Sequence, residues 1–292
     1  MKQGISILNA FAEVRENSII GSDGTAIAIV QGNAEIHKNT IMGNRDAAIF
    51  ILAAKAETTI TQNILVDNGI GIVISNSPEV TLINNLIARG QRQESMAIGT
   101  DNSPIFSINN TLIFHDLGIN ILNGSRVRVI NTLFAEMRED IFGWDNAGAG
   151  SVIANSLVSH QALINKHQNI IGEPAFINSL EDDFRLAENS SAIDRGTYHR
   201  LLLEVDLDGQ PRITQGVVDI GAYEYQPVEK EQLMSPAWDV NEDGLVDIRD
   251  LIQVVQYIGE NDPANPRVDV NGDGAVNILD LTIVSQHFGE DM

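Results

Sequence analysis

The chain has 292 residues, forty acids against eighteen lysines and arginines for a net charge of −22, and no cysteine. The length allows two domains and a sizeable core, while the charge argues against nucleic acid or an anionic membrane as partner, since both need a positive face. Without cysteine there is neither a disulfide framework nor a thiolate metal site, and no apolar run approaches the roughly 20 residues of a membrane span.

From the start of the chain a mark of Asn-x-(Ile/Leu) recurs: Asn17-Ser-Ile19, Asn39-Thr-Ile41, Asn63-Ile-Leu65, Asn85-Leu-Ile87, Asn110-Thr-Leu112, Asn131-Thr-Leu133 and Asn155-Ser-Leu157. The spacings are 22, 24, 22, 25, 21 and 24 residues, and a fixed period in this range is the signature of a solenoid. Around each Asn lie short alternating apolar runs such as "AIAIV", "AIFIL" and "GIGIVI", which have strand period. Short strands, Asn at the bends and this period predict a right-handed parallel β-helix of about seven coils, mainly β, with about three strands per coil. Inward Ile, Val, Leu and Phe form its columns, Asn takes the left-handed bend, and the Asn amides bond from coil to coil. The L-x-x-L-x-L pattern of leucine-rich repeats is missing. Residues 12–175 resemble the pectin-lyase-like superfamily of β-helices, which implies a fold more than an activity.

The repeats begin almost at Met1, and "MKQGISILNAFAEVREN" holds no hydrophobic region of signal-peptide length. The expectation is a sequence truncated at its N-terminus. After the repeats, "DFRLAENSSAIDRG" and "EVDLDGQPRITQGVVDIGAYEY" are similar to the closing segment of many secreted bacterial β-helix proteins. About 176–225 is therefore expected to be a structural cap over the last coil, with Arg212, Asp219 and Glu224 as a charge-paired cluster; a calcium site of Asp206, Asp208 and Asp219 is the alternative.

Enzymes of the resembled superfamily cleave acidic polysaccharides, as lyases or as hydrolases. The hydrolase signatures (Asn-Thr-Asp, an Asp-Asp pair and Gly-His-Gly in successive coils) are not present as a set; Asp182-Asp183 lies outside the repeats. Similar offsets from successive Asn marks single out Arg92, His115, Asp116 and Arg138 as the catalytic candidates, with Trp144 as a sugar-stacking ring. Against this stands the ordinary occurrence of polar residues at coil turns. His37, His160 and His167 have no companions that suggest chemistry.

Residues 226–235, "QPVEKEQLMS", are expected to be a linker and 236–292 a separate domain. From Ser235 onward twelve acids face two bases, a charge of −10. Within this tail "DVNEDGLVDIRDL" at 239–251 and "DVNGDGAVNILDL" at 269–281 fit a twelve-position EF-hand calcium loop with ligands at 1, 3, 5, 7, 9 and 12. Loop one supplies Asp239, Asn241, Asp243, the carbonyl of Leu245, Asp247 and Asp250. Loop two supplies Asp269, Asn271, Asp273, the carbonyl of Ala275, Asn277 and Asp280. Two calcium ions are expected, the tighter in loop one, which has four carboxylates against three. Apolar stripes follow each loop (Leu251, Val254, Val255, Ile258; Leu281, Val284, Phe288), but "SPAW" and the prolines of "NDPANPR" allow no entering helix. Without two helices to open, the pair makes a rigid docking surface rather than a sensor.

This duplication resembles a type I dockerin, the module that attaches carbohydrate-active proteins to cohesins. The resemblance implies a cohesin-type partner contacted through positions ten and eleven, here Ile248, Arg249, Ile278 and Leu279 where many dockerins carry Ser-Thr. Two functions remain open at this point. One is an extracellular or cell-surface monomer that acts on or binds polysaccharide while anchored by calcium-dependent docking. The other is a non-catalytic surface or adhesion β-helix whose only chemistry is that docking. If an enzyme, it would be a polysaccharide lyase or a glycoside hydrolase.

Overall fold

The alternating runs of the repeats become strands, because each places β-branched residues on one side and polar residues on the other. The computed structural model describes residues 4–159, 163–213, 216–227 and 236–290. The chain forms two units, Met1–Tyr225 and Gln226–Met292. In the first unit the opening coil supplies strands Ile5–Leu8, Phe11–Arg15 and Ser18–Ile20, and the same three positions recur in later coils. They stack into three parallel sheets; among the described residues the first and second have seven strands and the third has six. Ile5, Ile27, Ile49, Ile72, Ile98, Ile119 and Ile141 share one inward column of the first sheet. From Ile27 onward they are fully buried, and each contributes about 1.5–3 kcal/mol.

A single left-handed residue follows most strands: Asn9, Gln31, Ala53 and Asn76 after the first sheet, Glu16, Lys38, Gln62, Asn84 and Asn109 after the second. The Asn of the repeat is therefore not the bend residue, as its backbone tolerance predicted, but the residue after it. Its amide serves instead as a rung. Asn17, Asn39, Asn63 and Asn85 each donate Nδ2 to Oδ1 of the Asn in the next coil at 2.9–3.0 Å. The same Oδ1 accepts the preceding rung's backbone N–H, which would otherwise be buried and unpaired.

Beyond Asn110 the rung changes chemistry. Thr132 N donates to Ser156 Oγ and Ser156 N to Asn169 Oδ1, both at 3.1 Å. Asn131 and Asn155, counted as repeat marks by sequence, stand one position earlier and are the left-handed bend residues, with φ of 50° and 47°. Two further ladders escaped the sequence pattern. Asn44 and Asn68 form one at the third-sheet bend, and Ser77, Ser103 and Ser125 form another at the first-sheet bend.

The closing segment does not sit over the last coil; it runs back along the outer face of the third sheet. The reason is that this face is itself apolar. Val66, Leu86, Ala88, Ile113, Leu133 and Ala135 point outward and are buried under Phe184, Leu186, Ala192, Ile220, Ala222 and Tyr223. Bend residues of successive coils hold the strap: Gln62 and Asn84 donate to the carbonyls of Asp206 and Val205, Asn109 to those of Asp219 and Gly221, and Asn131 to that of Thr197. The end of the solenoid is closed instead by Val158 and Leu163, which join its core, and by the bridge from Leu157 to Ile170.

In the second unit two nine-residue helices, α1 (Ile248–Gln256) and α2 (Ile278–Gln286), follow the two loops. Their shared core is a set of seven buried valines: Val240, Val246, Val254, Val268, Val270, Val276 and Val284. Val255, Ile258 and Phe288, expected in the apolar stripes, are exposed, because a core this small is filled by one residue per helix turn. The halves exchange backbone bonds about a pseudo-twofold: Val246 N donates to Glu290 O and Gly289 N to Val246 O, as Val276 N to Glu260 O and Gly259 N to Val276 O. Trp238 stacks on His287 at 3.8 Å, tying the two ends of the unit. Of the expected linker, residues 228–235 lie outside the described residues, as does His160. Among the described residues no helix is long and apolar enough to cross a membrane.

Candidate functional site

The four catalytic candidates on the β-helix are not gathered. Strand register aligns Ala88, Ile113 and Ala135, so Gln91, Asp116 and Arg138 share one bend column and Arg92 begins a four-residue insertion before Met96. Arg92 turns from that column and pairs with Asp46. His115 is 5% exposed with neither ring nitrogen hydrogen-bonded, and burial lowers it to about 4, so it is neutral and packed beneath the surface. Its bend position is the one held by Asn68 two coils earlier, where the polar ladder stops. Asp116 stays half-buried and Arg138 exposed. Trp144 opens a short 3-10 turn and packs, half-buried, against the solenoid core.

What does form at this surface is an open groove of about 640 Å³ lined by Gly43, Asn44, Arg45, Asp67, Gln91 and Arg92. Gln91 Nε2 donates to Asp67 Oδ1 at 2.7 Å, which fixes its floor. Of the four catalytic candidates Arg92 alone is among its lining residues; Arg45 and Asp67 come from other coils.

Two of the strap's acids, Asp206 and Asp219, are held by the backbone. Asp206 Oδ1 accepts N–H from Asp208 and Gln210 and its Oδ2 accepts from Glu224, while Asp219 accepts from Asp194 and Tyr225. This supports the structural role over the alternative calcium site. Arg212, 1% exposed, donates to Glu224, to the carbonyls of Gly221 and Ala222, and to Asn84 Oδ1 of the solenoid. With three carboxylates around one guanidinium, burial and then the neighbouring Asp219 push Glu224 up to about 8.

A carboxyl whose folded value is raised favours the fold while protonated in both states; that contribution is present below the unfolded value near 4.5 and is lost as pH rises through 8. In saturating calcium, the unfolding temperature of the first unit is expected to fall between pH 5 and pH 9. Glu224→Gln should flatten the dependence, and an unchanged slope in that variant would assign it elsewhere.

The loops of the second unit are positioned by their own helices. Asp247 caps α1 by accepting Arg249 N, and Asp250 returns the bond to Asp247 N; Asn277 and Asp280 do the same for α2. Gly244 and Gly274 take φ of 82° and 90° at the tight turn of each loop, where a side chain would be strained. Asp250 and Asp280 also reach back to the N–H of Asn241 and Asn271, closing each loop on itself. Among the described residues no three His, Cys, Asp or Glu side chains converge as a metal cluster. The ligand chemistry nevertheless fits a hard cation: Asp239, fully buried, accepts the Gly244 N–H at Oδ2 while its Oδ1 has no partner. A buried carboxylate oxygen without a donor is costly, and a cation in the loop would satisfy it.

The family model for the right-handed β-helix region matches residues 3–158, and that for the dockerin type I domain matches residues 237–289. Among solved structures, a crystal structure of pectate lyase Pel9A is similar at 12% identity, covering 72% of this chain and 70% of that one, with a TM-score of 0.26, too low to carry an argument. No curated protein matches.

Proposed function

The chain belongs to the right-handed β-helix family and carries a type I dockerin domain, and we propose that it is an extracellular or cell-surface protein that presents a glycan-facing solenoid from a calcium-dependent dock. The observation that carries this reading is in the second unit. Ile248 is 57%, Ile278 68% and Leu279 56% exposed at the starts of the two helices, although the valine core beneath them is complete. Apolar residues held outward on a rigid, metal-ordered pair of helices suit a cohesin-type module with an apolar docking face.

The twelve loop ligands named from sequence hold two calcium ions in this reading, and Ile248, Arg249, Ile278 and Leu279 line the contact. The first unit supplies the polysaccharide-binding surface through the groove of Arg45, Asp67, Gln91 and Arg92, whose mixed charged and amide groups offer both donors and acceptors to a sugar. The second reading, a β-helix without catalysis, is favoured by the dispersal of Arg92, His115, Asp116 and Arg138.

A panel of cohesin modules should be bound in calcium and released by chelator, and Ile248→Asp with Ile278→Asp should weaken capture by about thirtyfold or more. Capture that ignores chelator and both substitutions would overturn the docking reading. Incubation with pectate, alginate and chondroitin, followed at 235 nm and by reducing ends, separates the two readings. Turnover lost in Arg92→Ala marks the groove as a catalytic site, whereas retention of glycan without turnover marks it as a binding one.

A further inference from the structure

Loop one contains a cation of its own. Arg249, at position eleven, lays its guanidinium across two of the carboxylates that the calcium reading counts as ligands. Nη1 is 2.8 Å from Asp243 Oδ2, Nη2 is 2.9 Å from Asp247 Oδ2, and Nε donates to the same oxygen at 3.0 Å. These are positions five and nine. The pseudo-twofold places Leu279 at the equivalent point of loop two, an apolar side chain with no charge to offer.

Counting ligands alone gives loop one four carboxylates (Asp239, Asp243, Asp247, Asp250) and loop two three (Asp269, Asp273, Asp280). Adding the guanidinium in contact changes the sum. Four negative charges and one positive leave −3 in loop one, equal to the −3 of loop two. A positive charge within hydrogen-bond distance of two ligand groups opposes a divalent ion whether or not it leaves when the ion arrives, and it also competes for the same lone pairs.

We propose that Arg249 is a resident counter-cation that holds the calcium affinity of loop one down to that of loop two, in spite of its extra carboxylate. The inference rests on the calcium reading of the loops. Its signature is electrostatic: Arg249→Gln tightens one of the two sites, and the gain shrinks as salt screens the guanidinium. Leu279→Arg is the converse and loosens the other.

The test is calorimetric titration of calcium into the metal-stripped full chain at low and at high ionic strength. Two sites of similar affinity are expected in the unsubstituted chain. Arg249→Gln should strengthen one by about two- to fivefold at low salt, the size that an exposed pair permits. Arg249→Lys, which keeps the charge without the planar fork, should fall between the two. Leu279→Arg, which leaves loop one intact, should weaken one site by a similar factor. Equal or weaker binding in Arg249→Gln would overturn the proposal and make Arg249 a support of the loop. If the unsubstituted chain binds no calcium, the reading beneath the proposal falls and the proposal with it.

Discussion

Chelation of calcium from the full-length protein is expected to remove the helical circular dichroism and the protease resistance of residues 236–290 while leaving the β-helix folded. The second unit is too small to stand on its apolar core. Seven valines bury little area against the entropy of ordering some fifty residues, and domains of this size ordinarily need a staple. They also share that core with three fully buried carboxylates, Asp239, Asp250 and Asp280. Asp250 and Asp280 are each satisfied by two backbone N–H groups, but Asp239 Oδ1 faces no donor. With the cation absent that oxygen costs several kcal/mol, comparable with the whole stability of so small a unit. Metal binding and folding are then one equilibrium, as in other small metal-ordered domains. The measurement is limited proteolysis with and without chelator, read by which fragment survives. Asp239→Ala should mimic chelation at loop one at any calcium concentration. Resistance of the 236–290 region that is the same in chelator and in calcium would show that the valines suffice and that the loops are closed by hydrogen bonds alone.

The parts legible in the sequence are those where one residue type serves one role at a fixed spacing. The Asn period gave the solenoid because Asn85 and its neighbours are rungs that no other residue fills as well, and the duplicated Asp-Asn-Asp-Gly frame gave the loops. The period misled where that chemistry was shared. Thr132 and Ser156 continue the ladder with hydroxyls, so the Asn one place earlier was counted in their stead, and every offset measured from it slipped by one. That slip set Arg138 level with Arg92 on paper, whereas the strands align Arg138 with Asp116 and Met137 with His115. The strap was misplaced for another reason. Alternation marks which residues of a strand share a side, but Leu86 and Ala88 read the same whether they face a core or a strap. Only long-range partners such as Arg212 and Asn84, 128 positions apart, decide it. Arg249 was legible as a residue and not as a partner, since its bonds to Asp243 and Asp247 depend on a side-chain orientation that spacing does not report.

Asn85→Ala is expected to destabilise the first unit by about 3 kcal/mol, and Asn155→Gly by less than about 0.5 kcal/mol, although both were marks of the same repeat. Asn85 is fully buried at the middle of the ladder. Its Oδ1 accepts both the backbone N–H and the amide of Asn63, and its Nδ2 donates to Ile60 O and to Asn110 Oδ1. Truncation leaves the Asn63 N–H without an acceptor in a site walled by other coils, where each such orphan costs about 1–3 kcal/mol, and it opens a cavity besides. Asn63 Nδ2 keeps its bonds to Ile36 O and Thr61 O, which bounds the loss from above. Asn155 stands outside the ladder, with a left-handed φ of 47° and one exposed bond to Gln168. Glycine accepts that backbone freely, so the small relief in strain offsets the lost contact. Thermal unfolding of the first unit in saturating calcium reads both variants on one scale. A solenoid in which the two cost the same would place the stability in the apolar columns alone and leave the ladder as decoration, because only a buried amide network makes one asparagine indispensable and its counterpart seventy residues on dispensable.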